Sequence, residues 1–165
     1  MKNIKRGIKA RLLQNVEVYS SRKIKTLDEI KTEVGKFPRI RKVIMCHGTF
    51  DNVHVGHLRQ LTFAKEKAPI LIVSLTCEKH IAKGPLRPYF TDEQRAFHLA
   101  SLEYVDYVLI DQNATPIENL LQLQPDYFVK GYEYSRKNNP KTQEEINALK
   151  KYGGEMIFSP GDVVY

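Results

Sequence analysis

A chain of 165 residues with 42% hydrophobic content supports one domain with a real core and not two large ones. No apolar run reaches the roughly 18 residues of a membrane span, and the lysine-rich start lacks the apolar segment of a secretory signal, so a cytoplasmic protein without membrane contact is expected. The net charge of +7 is unevenly placed: residues 1–42 carry 13 Lys and Arg against 4 acidic residues and the rest carries 13 against 15, which argues against a nucleic-acid-binding surface on the globular part.

Residues 1–25 read as a basic N-terminal extension. Ile4, Ile8 and Leu12 recur there every four residues, which suits a short amphipathic helix docking on a partner or on its own domain, and a solvated arm fits equally well. From residue 26 to 165 the pattern is that of a single domain in which strand-like runs alternate with helical ones. Thr26 with Glu29 marks a capping box, so a helix is predicted over 27–36. Strands are predicted at Val43–His47, Ile70–Thr76, Tyr104–Ile110, Tyr127–Lys130 and Glu155–Ser159, mostly continuous apolar runs as in parallel strands covered on both faces. Between the first two, His57–Ala68 has Leu58, Leu61, Ala64 and Ala68 at helical spacing. Three more capping boxes, Thr91/Gln94, Thr115/Glu118 and Thr142/Glu145, predict the later helices. Pro116 is expected at a first helical position, and Gly153-Gly154 are expected to end the last helix. Cys46 and Cys77 lie inside apolar runs at a spacing that fits neither zinc nor a disulfide framework, so they read as reduced core thiols. The fold class is therefore α/β: a doubly wound, five-stranded parallel sheet of order 3-2-1-4-5, Rossmann-like.

In such a sheet, ligands bind where the strand order reverses, beyond the carboxyl ends of the first and fourth strands. The first strand runs into Gly48-Thr49-Phe50-Asp51-Asn52-Val53-His54-Val55-Gly56-His57 and then a helix, and the fourth ends in Lys130-Gly131. A glycine after a strand lets backbone approach a ligand, and a helix start offers unpaired N–H groups, so this is an anion cradle. It is neither the G-x-G-x-x-G fingerprint nor a Walker loop. His54 and His57, three apart around Gly56, can face one phosphate; a zinc reading has no third local ligand, so no metal site is assigned to them. His80 and His98 fit no part of this chemistry. Asp51 could touch the nucleotide or orient the turn by Asx-type bonding.

Gly48-Thr49-Phe50-Asp51 with His54-Val55-Gly56-His57 resembles the G-x-F-D-x-x-H-x-G-H signature of the cytidylyltransferase-like nucleotidyltransferases. The similarity continues through Lys83-Gly84-Pro85-Leu86-Arg87-Pro88, Glu93-Gln94-Arg95, Tyr104-Val105-Asp106 and Pro125–Gly131. It covers about residues 41–164 and is strongest to the adenylyltransferase domain of bacterial heptose-phosphate biosynthesis. The resemblance implies that Gly48, Thr49, Phe50, Asp51, His54, Gly56, His57, Arg87, Lys130 and Gly131 bind the nucleotide. It also implies catalytic roles for His54, His57 and Lys83 and a substrate-phosphate contact for Arg95, with Mg²⁺ held mainly by nucleotide phosphates. The implied partners are a nucleoside triphosphate, a small phosphorylated substrate, a second copy of the chain in a homo-oligomer, and a sugar kinase, fused or separate.

An acceptor phosphate is ionised at pH 7 and needs no general base; the step needs donors aimed at the growing charge on pyrophosphate, which these residue types supply. Three functions are carried forward. The first is AMP transfer from ATP to a heptose 1-phosphate-like sugar 1-phosphate with release of pyrophosphate. The second is cytidylyl transfer from CTP to glycerol phosphate or another polyol phosphate. The third is a non-catalytic nucleotide-binding or scaffolding domain. Relatives continue past the fifth strand with a Ser/Thr-rich turn and a helix, whereas this chain stops at Val163-Val164-Tyr165, so a domain truncated at its C-terminal end is expected.

Overall fold

The structure, a computed structural model, describes residues 22–135 and 139–161. The helix considered around Ile4, Ile8 and Leu12 lies outside the described residues. The elements are α1 (Leu27–Val34), β1 (Val43–Gly48), α2 (Val55–Lys67), β2 (Ile70–Thr76), α3 (Asp92–Ala100), β3 (Tyr107–Asp111), α4 (Ile117–Leu123), β4 (Tyr127–Lys130), α5 (Pro140–Lys150) and β5 (Glu155–Phe158). Short 3₁₀ turns at Glu78–His80 and Tyr132–Tyr134 complete them. All strands pair in parallel in the order β3-β2-β1-β4-β5, as the sequence predicts.

Alternation along the strands divides the core. Ile44, Cys46, Leu71, Val73 and Leu75 face one side with Leu61 and Ala64 of α2 and Ala96 and Leu99 of α3. Val43, Met45, Ile70 and Ile72 face the other, with Ile30 of α1, Leu120 of α4 and Leu149 of α5. This is the period-two geometry of a strand buried on both faces. Cys46 and Cys77 are free, buried thiols. No helix among the described residues is long and apolar enough to cross a membrane.

Two aspartates set the strand register from just outside the strands. Asp106 accepts from Leu71 N (2.7 Å) and Lys65 Nζ (2.5 Å) and returns its own N–H to Leu71 O, fixing β3 against β2. Asp126 does the same for β4 against β1, accepting from Val43 N (2.9 Å) and Lys42 Nζ (2.8 Å), with Arg39 3.9 Å away. This is why β3 starts at Tyr107 and not at Tyr104: the carboxylate of residue 106 is engaged with the neighbouring strand. The segment before α1 also joins the sheet, since Lys25 N donates to Val108 O and Val108 N to Lys23 O, covering the outer edge of β3.

Two of the four expected capping boxes are present. Thr26 and Thr91 each accept from the N–H three residues on, and Glu29 and Gln94 reach back. The other two are corrected. α4 starts after Pro116 with no side-chain cap, so Pro116 precedes the helix where the sequence places it at the first position. α5 begins at Pro140 with Asn139 as its cap, so Thr142 and Glu145 sit inside the helix and are buried. Proline cannot donate and its fixed φ suits a first helical turn, so Asn139-Pro140 outcompetes Thr142 as the start. Gly153, at φ +93°, ends the segment as expected, with Gly153 N and Gly154 N both donating to Leu149 O.

Asp126 is buried, accepts from Lys42 Nζ and Val43 N and lies 3.9 Å from the Arg39 guanidinium, so Asp126→Ala leaves an arginine and a backbone N–H without their anion. We expect the variant to lose about 3 kcal/mol of unfolding free energy, read as a lower urea midpoint at unchanged slope. A loss under about 0.5 kcal/mol, the scale of an exposed pair, would refute the register role.

Candidate active site

The cleft above the carboxyl ends of β1, β2 and β4 has a volume of about 1020 Å³. His47, Gly48, Thr49, Phe50, Asp51, His54, Gly56, His57, Lys83, Arg87, Lys130 and Gly131 all line it. The site residues expected from the sequence are thus together, with one exception. Arg95 is fully buried beneath the cleft, and its guanidinium donates to Thr49 O (2.6 Å), Thr76 O (2.8 Å) and Phe90 O (3.2 Å) and pairs with Asp92. It holds the turn after β1 against the end of β2 and the start of α3.

The turn itself is shaped by Phe50, a non-glycine residue at φ +48°. That conformation costs about 1–3 kcal/mol, and it turns the ring inward, where it is 3% exposed in the core. Gly48 leaves room for that ring: a Cβ there would lie 3.2 Å from it. His54 then caps α2, its Nδ1 accepting from Gly56 N at 3.1 Å, while His54 N faces His57 Nδ1 at 3.4 Å. The box usually built from Ser and Glu is here built from two imidazoles, with ring centroids 3.9 Å apart. A Cβ on Gly56 would meet the His54 ring at 3.0 Å, so any other residue would make the ring shift by a few tenths of an ångström. Because Nδ1 of His54 accepts, its neutral ring carries the proton on Nε2 as a free donor. His57 packs against Phe50, and burial, aided by His54 and Lys83 and opposed by the Asn52 carbonyl, pushes its imidazole down to about 4. Without ligand it is neutral at pH 7.

Asp51 is occupied by the loop that carries the cations. It accepts from Arg87 Nη1 (3.0 Å), Tyr89 N (2.7 Å) and Phe90 N (3.2 Å), and Arg87 lies over the Tyr89 ring at 3.9 Å. Burial pushes its carboxyl up, but the Arg87 guanidinium and the two N–H groups hold it below the usual carboxylate range. On the opposite wall Lys130 Nζ pairs with Glu145 Oε2 at 2.5 Å and sits 4.6 Å above the Tyr134 ring. Glu145, misread as part of a capping box, is the lysine's counter-ion. No group of three or more His, Cys, Asp or Glu able to hold a metal occurs among the described residues. His80 and His98 stay outside the cleft, the first against Gln112 O at 3.0 Å and the second edge-on to Phe90.

His47 and Thr76 are cleft residues that sequence reasoning missed. The His47 ring sits between Ser74 Oγ (3.0 Å from Nδ1) and Thr76 Oγ1 (3.1 Å from Nε2), with the buried Asp111 carboxylate 3.8 Å from Nδ1. Burial, reinforced by Lys130, pushes His47 down to about 4. The available signal was a histidine, a serine and a threonine interrupting apolar runs at the carboxyl ends of two strands, the end of the sheet where ligands bind.

Residues 45–158 match the family model described as cytidylyltransferase-like. The bifunctional protein HldE of Sulfurimonas denitrificans is 39% identical over 118 residues, which are 70% of this chain and 25% of that protein. The bifunctional protein HldE of Helicobacter pylori is 43% identical over 99 residues, 59% of this chain and 22% of that one. The chain thus spans about a quarter of the length of these relatives. Among solved structures, the lipopolysaccharide core biosynthesis protein of Thermoplasma volcanium superposes with a TM-score of 0.62 at 19% identity, covering 73% of this chain and 97% of that one. Pantoate-beta-alanine ligase of Francisella tularensis, solved with an ATP analogue and beta-alanine, superposes with a TM-score of 0.58 at 14% identity, covering 86% and 67%. Both likenesses speak to the fold.

His47 and His57 are each held near 4 against an ordinary 6.5. A depressed imidazole means the unfolded chain binds protons that the folded chain refuses, so stability is complete above about pH 6.5 and is lost as pH falls toward 4. The carboxyls of Asp111 and Glu145, raised by burial, act in the opposite sense. We expect His47→Gln to flatten the decline of urea-unfolding free energy between pH 6.5 and 4.5 by up to about 1.4 kcal/mol per pH unit, the limit for one proton. Parallel curves for variant and wild type would show that His47 is not kept neutral by the fold.

Proposed function

The chain belongs to the cytidylyltransferase-like family, and from that premise we propose that it transfers AMP from ATP to a heptose 1-phosphate-like sugar 1-phosphate, releasing pyrophosphate. The observation that carries the reading is the pairing of a histidine-built helix cap with a glycine turn at the switch point of the sheet, facing a loop that carries Lys83 and Arg87. That arrangement supplies donors and cations for phosphate oxygens, and attack by an already ionised phosphate requires no general base. The adenylyl and heptose assignments draw on the sequence resemblance and on the HldE relatives.

In this reading the Gly48 turn and the first N–H groups of α2 receive the triphosphate, with the free Nε2–H of His54 aimed at its oxygens. His57 starts neutral; a bound polyphosphate raises its proton affinity, so the ring becomes a stronger donor as negative charge grows on the leaving pyrophosphate. Lys83 and Arg87 approach from the opposite loop and align the acceptor phosphate in line with the bond that breaks. Lys130, already neutralised by Glu145, contributes position more than net charge. In this reading Mg²⁺ would be held mainly by the nucleotide phosphates and water and would shield their charge. A sugar kinase, on the same or another polypeptide, is the class of enzyme that forms a sugar 1-phosphate of this kind.

Pyrophosphate release is to be measured with ATP, CTP, GTP and UTP, each with heptose 1-phosphate or glycerol 3-phosphate. ATP with heptose 1-phosphate is expected to be the productive pair; turnover of CTP with glycerol 3-phosphate alone would replace the proposed substrates, and binding without turnover would point to a non-catalytic domain. His57→Ala should lower the single-turnover rate about a hundredfold, near 3 kcal/mol, while nucleotide affinity shifts only a few-fold. A stable variant with an unchanged rate would end the catalytic role.

A further inference from the structure

The cleft has two chemically different ends. Toward β4 and β5 it is lined by the Tyr132 and Tyr134 rings, which suit a base, and toward β2 it is lined by His47, Thr76 and Lys83, which suit a polar acceptor. Under that second end lies a chain of buried hydrogen-bonding groups whose direction is set at its far terminus.

Asp111 is fully buried, and in its ionised form, which the hydrogen-bond donors around it favour against burial, its carboxylate can only accept. Oδ1 takes Asn113 N (2.9 Å) and Asn113 Nδ2 (3.0 Å), the Asn119 side chain adds a further bond, and Oδ2 faces Ser74 Oγ at 3.4 Å. The Ser74 hydroxyl is also fully buried, so its proton goes either to Asp111 or to His47 Nδ1. Only if Ser74 donates to Asp111 are both contacts hydrogen bonds, since His47 Nδ1–H can then donate to the Ser74 oxygen, whereas the carboxylate has no proton to give, so the proton goes to Asp111. His47 Nδ1 must then be the protonated nitrogen, donating to Ser74, and Nε2 the acceptor. Thr76 Oγ1, 3.1 Å from Nε2, must therefore donate to it. Gly48 O, the other acceptor within reach, is farther from Thr76 Oγ1, at 3.5 Å, than the His47 nitrogen is.

We propose that Thr76 is a specificity residue whose hydroxyl, its proton committed to His47 by the Ser74 and Asp111 relay, offers only lone pairs to the cleft and accepts a hydrogen bond from a hydroxyl of the phosphorylated acceptor. The inference deepens the sugar-phosphate reading above and rests on it for the identity of the ligand, while the polarity of the relay stands on the protein alone. The ligand class is a polyol or sugar phosphate carrying a hydroxyl near its reacting phosphate. A deoxy analogue at that position would leave the threonine lone pairs buried against carbon and be rejected. His47 and Ser74 are positioning residues, since they act through Thr76.

Nitrogen-15 NMR of the uniformly labelled full chain at pH 7 reads the relay directly. His47 is expected as the Nδ1–H tautomer, and Ser74→Ala should shift it toward Nε2–H; a wild-type ring protonated on Nε2 overturns the inference whatever the activity. Steady-state kinetics with ATP and heptose 1-phosphate read the consequence. Thr76→Val should raise KM for the sugar phosphate about tenfold with KM for ATP within about twofold, Thr76→Ser should restore it, and Ser74→Ala should mimic Thr76→Val at a distance. Equal KM values for the sugar phosphate in wild type and Thr76→Val would also overturn it. If the wild type released no pyrophosphate with any pair, the proposed function would fall and the ring tautomer would still decide the relay.

Discussion

The buried guanidinium of Arg95 is the contact on which the geometry of the cleft depends. Its N–H groups take the carbonyls of Thr49, just past β1, Thr76, at the end of β2, and Phe90, just before α3. An arginine can do this because its planar fork offers five donors in fixed directions from three separate nitrogens; a lysine's three donors radiate from a single atom and span less. Asp92, one turn earlier on α3, supplies the counter-charge, so the cation is neither unpaired nor available to a ligand. The turn that carries the anion cradle and the loop that carries Lys83 and Arg87 are thereby fixed to the same side chain.

A second economy lies in the acidic residues. Asp51 holds the cationic loop, Asp106 and Asp126 set strand register, Asp111 terminates the relay beneath Thr76, and Glu145 anchors Lys130. Each is tied to a structural duty, so a sequence stretch with slightly more acids than bases still presents imidazoles, amides and cations to an anionic ligand. The net charge of a domain says little about the field inside one cleft, because low-dielectric surroundings make the nearest few groups dominate.

The ring pair His54 and His57 shows how capping and chemistry share one device. Taken alone, each bond is that of a helix cap, and a purely structural role would explain it. What a Ser–Glu cap would not provide is a second ring nitrogen left to donate outward, and Gly56 gives the His54 ring room to fold back over the helix start. Structure and chemistry are therefore not competing readings at these positions: the cap fixes the rotamer that the chemistry needs.

Much of this was fixed by local sequence. Apolar runs separated by helical spacing determine five parallel strands and their order, because burial on both faces and right-handed crossover leave few alternatives. The G-T-F-D-x-x-H-x-G-H run determines the histidine cap of the cradle, because the contacts of His54 with Gly56 and His57 lie within three residues. Local rules failed where two signals competed, as at Asn139-Pro140 against Thr142, and at Asp106, where a carboxylate served a neighbouring strand and delayed β3. Only the tertiary structure could decide the roles of Arg95, Glu145, His47 and Thr76. The partners that decide those roles are distant in sequence: Thr49 is 46 residues from Arg95, Lys130 is 15 from Glu145, and Thr76 is 29 from His47. Whether a polar side chain faces a ligand or is used up by a neighbour depends on which strands the sheet sets side by side, and that is a property of the assembled fold.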